Sequence, residues 1–378
     1  MQKRIAYVGF VLVLNYFFIS SSVAQIDNTP FLDTLKLSKQ DQKTLFLHLD
    51  YLGYNKNNEY FNNIADGYTL FGQQAIATLR YRPSEHIILE GGASFRRDFG
   101  VNAVSKWLPF LRLKFQKDKI SLLFGTLEGN LNHGLIEPLF DFERLVTRRL
   151  ENGMQIRYLG DRLKSDIWVD WTIKIDEGDP FRERIDGGLN LQYDLLPSEE
   201  KELNAVLQVT GVHLGGQIDT SPERLVTSFN VATGGVFKRT INPEGFVKSF
   251  ELHQYGVWHK DFQSSLGLYD RGWAIYSHTS IKLAHLGNVG VSYWRGNTFG
   301  SSVGGDLYSS TSRRFAPRGG ILGERIRELL IFRFINNIPL SKRVWLSSRL
   351  EPFYDLRNEK WEFSMALYLT YRQGFKVL

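Results

Sequence analysis

The feature that most constrains this chain is a two-residue alternation of apolar and charged side chains, repeated along much of its length. In Gln74–Arg82, Ala75, Ala77, Leu79 and Tyr81 share one face, and Thr78, Arg80 and Arg82 share the other. Across the turn Pro83-Ser84-Glu85 the pattern returns: Ile87, Leu89, Gly91, Ala93 and Phe95 alternate with Glu90, Gly92, Ser94 and Arg96. Alternate side chains of a strand point to opposite faces, so one face of each ribbon is apolar and the other charged. Burying Arg80, Arg82, Glu90 and Arg96 in a dry core without partners is very costly. A water-filled lumen removes that cost while the opposite face meets lipid.

The same pattern runs on. Arg112 and Lys114 lie between Leu111, Leu113 and Phe115, and Gln155 and Arg157 lie between Met154, Ile156 and Tyr158. The last stretch sets Trp361, Phe363, Met365, Leu367, Leu369 and Tyr371 against Glu362, Ser364, Thr370 and Arg372. The segments run from 45–53 to 360–372, and their connections are short on one side and long on the other. Connections 83–85, 117–119, 160–163, 285–287 and 337–343 are short; 54–68, 128–151, 260–271 and 297–326 are long. A soluble β-sandwich alternates too, but lacks this rhythm, and no fixed repeat of a β-helix occurs. The expected fold class is all-β: a transmembrane antiparallel up-and-down β-barrel of about sixteen strands (about fourteen to eighteen), with short periplasmic turns and long extracellular loops. Aromatic residues near strand ends, among them Trp107, Trp258, Trp273, Trp294, Phe353 and Trp361, are expected in two interfacial girdles.

Export is expected as well. Lys3 and Arg4 precede an apolar run from Ile5 to about Ile19, and Ser22-Val23-Ala24 supplies small residues for cleavage. Residues 1–24 therefore read as a signal peptide, 25–44 as a periplasmic N-terminal linker and 45–378 as the barrel. The run is too short for a spanning helix, and Asn15 interrupts it. The chain has no Cys, which excludes disulfides, thiol nucleophiles, thiolate metal sites and a lipidated N-terminus. Removing the signal lowers the net charge from +6 to +4, too mild and too evenly spread for a nucleic-acid partner. Aromatic residues make up 14% of the chain and Gly is plentiful at 34, a composition that suits a barrel with a lipid-facing side.

With these features the chain resembles the outer-membrane porin-like proteins of Gram-negative bacteria. The phrases "LRYRPSEHIILEGGASFRRDFG", "SVAQ" and "WEFSMALYLTYRQGFKVL" resemble those of Bacteroidetes envelopes. One departure is the final residue, Leu378, where such barrels end on an aromatic; the nearest here is Phe375. The resemblance implies an outer-membrane location and passive diffusion of small polar solutes. It also implies a third long loop folded into the lumen as a constriction. That loop, 128–151, carries Glu128, Glu137, Asp141 and Glu143, followed by Arg144, Arg148 and Arg149. Its Leu135, Ile136, Leu139, Phe140 and Phe142 need something to pack on. The expected constriction is Glu128, Glu137, Asp141, Glu143, Arg148 and Arg149. Lumen-facing Arg80, Arg82, Glu90, Arg96, Arg112, Lys114 and Arg157 would complete a transverse field that screens solutes by charge.

Catalysis is not expected from the sequence. Gly300-Ser301-Ser302-Val303-Gly304 fits the spacing of a nucleophile elbow but sits in a Gly/Ser-rich loop without the strand and helix it needs. His253 and His259 share a strand face with Glu251 but lie about 20 Å apart, too far for one ion. His133 beside Asn130 and Asn132 reads as a loop hydrogen-bonder. No metal or cofactor is expected. The alternative is a barrel for surface binding, glycan handling or envelope assembly through loop 297–326, with Arg313, Arg314, Arg318, Arg325, Phe299, Tyr308 and Phe315. Expected partners are outer-membrane lipid and lipopolysaccharide, small polar solutes, the barrel-assembly machinery and further copies of the chain in an oligomer.

Overall fold

A computed structural model describes residues 26–32, 38, 41–101, 106–196, 198, 200–315 and 321–377. The expected signal peptide lies outside these residues. The strands are β1 (Leu45–Glu59), β2 (Tyr68–Tyr81), β3 (Ile87–Asp98), β4 (Lys106–Lys117), β5 (Ile120–Thr126) and β6 (Asn152–Leu159). There follow β7 (Leu163–Ile173), β8 (Glu183–Asp194), β9 (Lys201–Gly215), β10 (Val226–Thr240), β11 (Val247–Phe262) and β12 (Arg271–Leu283). The chain ends with β13 (Gly287–Asn297), β14 (Thr311–Phe315), β15 (Ile321–Gly323), β16 (Ile326–Pro339), β17 (Val344–Asp355) and β18 (Lys360–Lys376).

Sixteen of these close into one antiparallel barrel in which sequence neighbours pair, while β14 and β15 form a separate hairpin inside the long connection from β13 to β16. Closure is made by β1 against β18, from Phe46 opposite Lys376 to Glu59 opposite Phe363. Closure leaves the sheet without a free edge strand, as a hydrocarbon surround requires. The chain is thus an outer-membrane-type barrel. Its tightest turn, Asp118–Lys119, sits between β4 and β5, with Asp118 at a φ of +51°, a left-handed conformation that Asp tolerates.

The alternation does what it predicts. Leu111, Phe124, Met154 and Trp361 are each more than 60% exposed and face the lipid side, while Arg80, Glu90 and Arg112 on the opposite face are buried. One expected connection is different: 54–68 is not all loop, because β1 continues to Glu59, with Asn57 opposite both Thr69 and Met365. Asn55, Lys56, Asn57 and Asn58 look like loop residues, yet the ladder carries them beyond the apolar belt. Two expected girdle residues, Trp294 and Phe353, face inward and are fully buried.

The inner face is mixed. Strands β1 to β8 present charged and polar groups, such as His48, Asp50, Lys56, Asp166, Asp170 and Asp186. Strands β9 to β17 carry an apolar cluster with Val257, Tyr276, Trp294, Leu329 and Phe353, beside buried Arg327, Arg333 and Arg349. The loop over residues 127–151 fills the bore. Ile136 and Leu139 pack into the apolar cluster. Leu135 and Phe140 pack with Trp168 and Val303, while Phe142, Leu145 and Val146 meet Leu52, Tyr54 and Tyr368. From the short-turn end, Phe31 enters the same cluster and lies edge-on to Phe142 and Tyr368. The loop is therefore a plug with its own core.

Candidate active site

Three local devices shape the plug. Asn130–His133 is a single 3-10 turn that ends on Gly134 in the left-handed region, at φ +70°, and Arg144–Thr147 is a one-turn helix. His133 is stacked on Trp168 at 3.7 Å, with Nε2 2.9 Å from Glu151 and Nδ1 3.1 Å from Asp166. Burial opposes the imidazolium, but the two carboxylates outweigh it and raise His133 to about 9. Glu151, buried yet beside His133 and Arg144, is held down to about 2. His133 is accordingly a cation that pins the loop to the wall.

The second inward segment, 298–310, locks onto the first. The Asp141 amide donates to the Val303 carbonyl at 2.9 Å, and the Gly305 amide to that of Glu137 at 3.0 Å. A Cβ on Gly304 would lie 1.9 Å from the Pro138 carbonyl oxygen, so only glycine permits this approach. Ser301 uses its hydroxyl to accept the Gly304 amide, closing a turn rather than presenting a nucleophile.

The expected site residues fall into distinct groups. Glu128 pairs with Lys114 at 2.6 Å and with Arg157. Glu137 accepts from Arg333 at 2.5 Å, Arg349 at 2.9 Å and the Tyr308 hydroxyl at 2.9 Å. Arg148 meets Asp170 at 2.7 Å, and Arg149 meets Asp50 at the same distance. Arg80 and Arg112 both pair with Glu90; Arg112 also donates to the carbonyls of Thr126 and Leu127, and its charge helps hold Glu128 down. Arg82 donates to the Glu85 carbonyl, and Arg96 pairs with Asp98 at 2.9 Å. In the other long connection, Phe299 and Tyr308 are buried in the bore, whereas the side chains of Arg313, Arg314, Phe315 and Arg318 lie outside the described residues.

Asp141 and Glu143 come together with wall residues that the sequence reading passed over. They line a small cavity toward the long-loop end, about 80 Å³ in volume, with Lys56, Asn58, Tyr68 and Asp306. Glu143 accepts from Lys56 at 3.0 Å, from the Asn58 amide at 2.8 Å and from the Tyr68 hydroxyl. Burial alone would raise Glu143, but Lys56 and these hydrogen bonds lower it. Asp141 has the opposite fate: burial and then the charge of Glu143 push it up to about 7. Two carboxylates two residues apart are thus driven in opposite directions, the arrangement that separates a proton acceptor from a permanent anion. The missed signal was the continued alternation of Leu52, Tyr54, Lys56 and Asn58. Elsewhere His278 Nδ1 lies 2.8 Å from the Ser292 hydroxyl, deep in the wall. Among the described residues no three His, Asp or Glu side chains converge as a metal site.

Comparison with known proteins fits this architecture. A family model described as lipid A 3'-O-deacylase-type matches residues 37–378. No curated protein matches the chain. Among solved structures, a loop-L8 deletion mutant of OmpT, an outer membrane protein of Vibrio cholerae, is 11% identical over 87% of this chain and 99% of that one, with a TM-score of 0.52. In-vitro folded OmpT from the same organism is 9% identical over 90% of this chain and 99% of that one, with a TM-score of 0.51. These likenesses show the fold, an outer-membrane barrel. The family match overturns the expectation that the chain is not an enzyme, because the matching family is one of deacylases.

Proposed function

The chain belongs to the lipid A 3'-O-deacylase-type family, and on that premise we propose that it is an outer-membrane hydrolase that cleaves an O-linked acyl ester of lipid A. The observation that carries the reading is the Asp141–Glu143 cavity toward the long-loop end, the side of the outer leaflet in such barrels. A general base works best with a pKa near the operating pH, and Asp141 sits there.

In the proposed step Asp141 takes a proton from water as the water oxygen attacks the ester carbonyl. The negative charge that develops on the carbonyl oxygen is stabilised by the Lys56 ammonium. Collapse breaks the acyl–oxygen bond, and the proton held by Asp141 passes to the departing sugar alkoxide, leaving a free fatty acid and an alcohol. Glu143 acts as a positioning residue: it fixes Lys56, Asn58 and Tyr68 around the cavity. Asp141→Asn is expected to lower kcat by about 10²- to 10⁴-fold with little change in KM. Lys56→Met is expected to lower it by about 10²-fold or more. Unimpaired turnover by folded Asp141→Asn protein would remove Asp141 from the mechanism.

A second reading, passive diffusion of small polar solutes, is favoured by the charged cavities that flank the plug. It predicts stepwise conductance in planar bilayers that rises when residues 130–150 are deleted.

A further inference from the structure

The plug does more than close the bore: it separates charge. Its acidic side lines the cavity beside Asp141, and its other side, with Arg148 and Arg149, lines a second cavity of about 330 Å³. Arg96 and Lys106 from the wall line that cavity too, and no carboxylate does. Each arginine is braced from behind, Arg96 by Asp98 at 2.9 Å, Arg148 by Asp170 at 2.7 Å and Arg149 by Asp50 at 2.7 Å. The braces fix the guanidinium planes and leave further donors for the cavity. One of them, Nη1 of Arg149, is buried with no hydrogen-bond partner among the described residues. A buried charged donor without an acceptor is costly.

We infer that the cavity between the plug and strands β2 to β4 is an anion subsite that takes a phosphoryl group, gripped by Arg96, Lys106, Arg148 and Arg149. The inference deepens the hydrolase reading and rests on it for one point, that the phosphoryl group belongs to the acylated substrate. Fixed guanidinium forks favour a phosphoryl group, whose oxygens they can meet in pairs, over a halide. The subsite lies across the plug from Asp141, so a phosphorylated substrate would be held on one side of the loop and cut on the other.

The test is a calorimetric titration of the purified full chain in a non-ionic detergent with inorganic phosphate, dodecyl phosphate and dodecyltrimethylammonium. Both phosphates should bind and the cation should not, and binding should weaken as salt screens the site. Preference for dodecyl phosphate would identify a lipid-borne group; equal binding per phosphate would identify a site for the free ion. Lys106→Glu and Arg96→Gln should each weaken phosphate binding about tenfold or more. Lys106→Glu alters an exposed side chain, so the barrel should keep its heat-modifiable migration. Absence of phosphate binding, or binding unchanged in both variants, would overturn the subsite. Loss of turnover on lipid A with phosphate binding intact would count against the hydrolase reading alone.

Discussion

At the scale of single residues, Asp141 makes the clearest commitment. Its folded-state value of about 7 lies above its ordinary 3.8, so the native chain holds an extra proton between those limits. Stability present below about pH 4 is therefore lost as the pH rises toward 7. Asp141→Asn should flatten that part of the profile and leave the chain more stable at pH 8, measured by urea unfolding in vesicles. A profile that kept its slope would mean that another group titrates. Glu137 acts in the opposite sense, because it neutralises the buried Arg333 and Arg349. Glu137→Leu leaves both guanidinium groups short of an acceptor and should cost about 3 kcal/mol in the same assay. The loop carboxylates were legible in the sequence, since charge beside apolar residues marks a segment that packs. Lys114 and Arg157, which meet Glu128, were legible too, but the partners of Glu143 were not: Lys56 and Asn58 meet it only because β1 runs farther than its composition suggests, and strand register is not written in local spacing.

At the scale of elements, the two inward segments are coupled through the close approach at Gly304. A side chain there would collide with the Pro138 carbonyl. Gly304→Val should push segment 298–310 off the plug without disturbing the ladders of the wall. Single-channel current should then rise while heat-modifiable migration stays as in the parent chain. Unchanged current in a folded variant would show that the plug holds without its neighbour. The alternation gave each wall strand its face because lipid and charge select opposite sides. It did not indicate that the inner face also carries an apolar cluster. Trp294 and Phe353 looked like girdle residues, and they turn inward because the plug offers Ile136 and Leu139 to pack against.

At the scale of the whole molecule, barrel closure and strand number follow from periodicity and from the long and short connections, both local features. The contents of the bore do not, because they depend on contacts such as Arg333 with Glu137, which only the closed wall creates. The same holds for catalysis. No nucleophile elbow or metal motif marks this chain, and the proposed site is assembled from β1, β2 and two loops that are distant in sequence. The most direct test is to mix the purified, detergent-folded protein with lipid A near pH 8 and follow the lipid by mass spectrometry. The account predicts loss of one ester-linked acyl chain, with matching release of free fatty acid, and no such loss with Asp141→Asn. Lipid A that keeps its full acyl complement in the presence of folded parent protein would contradict it.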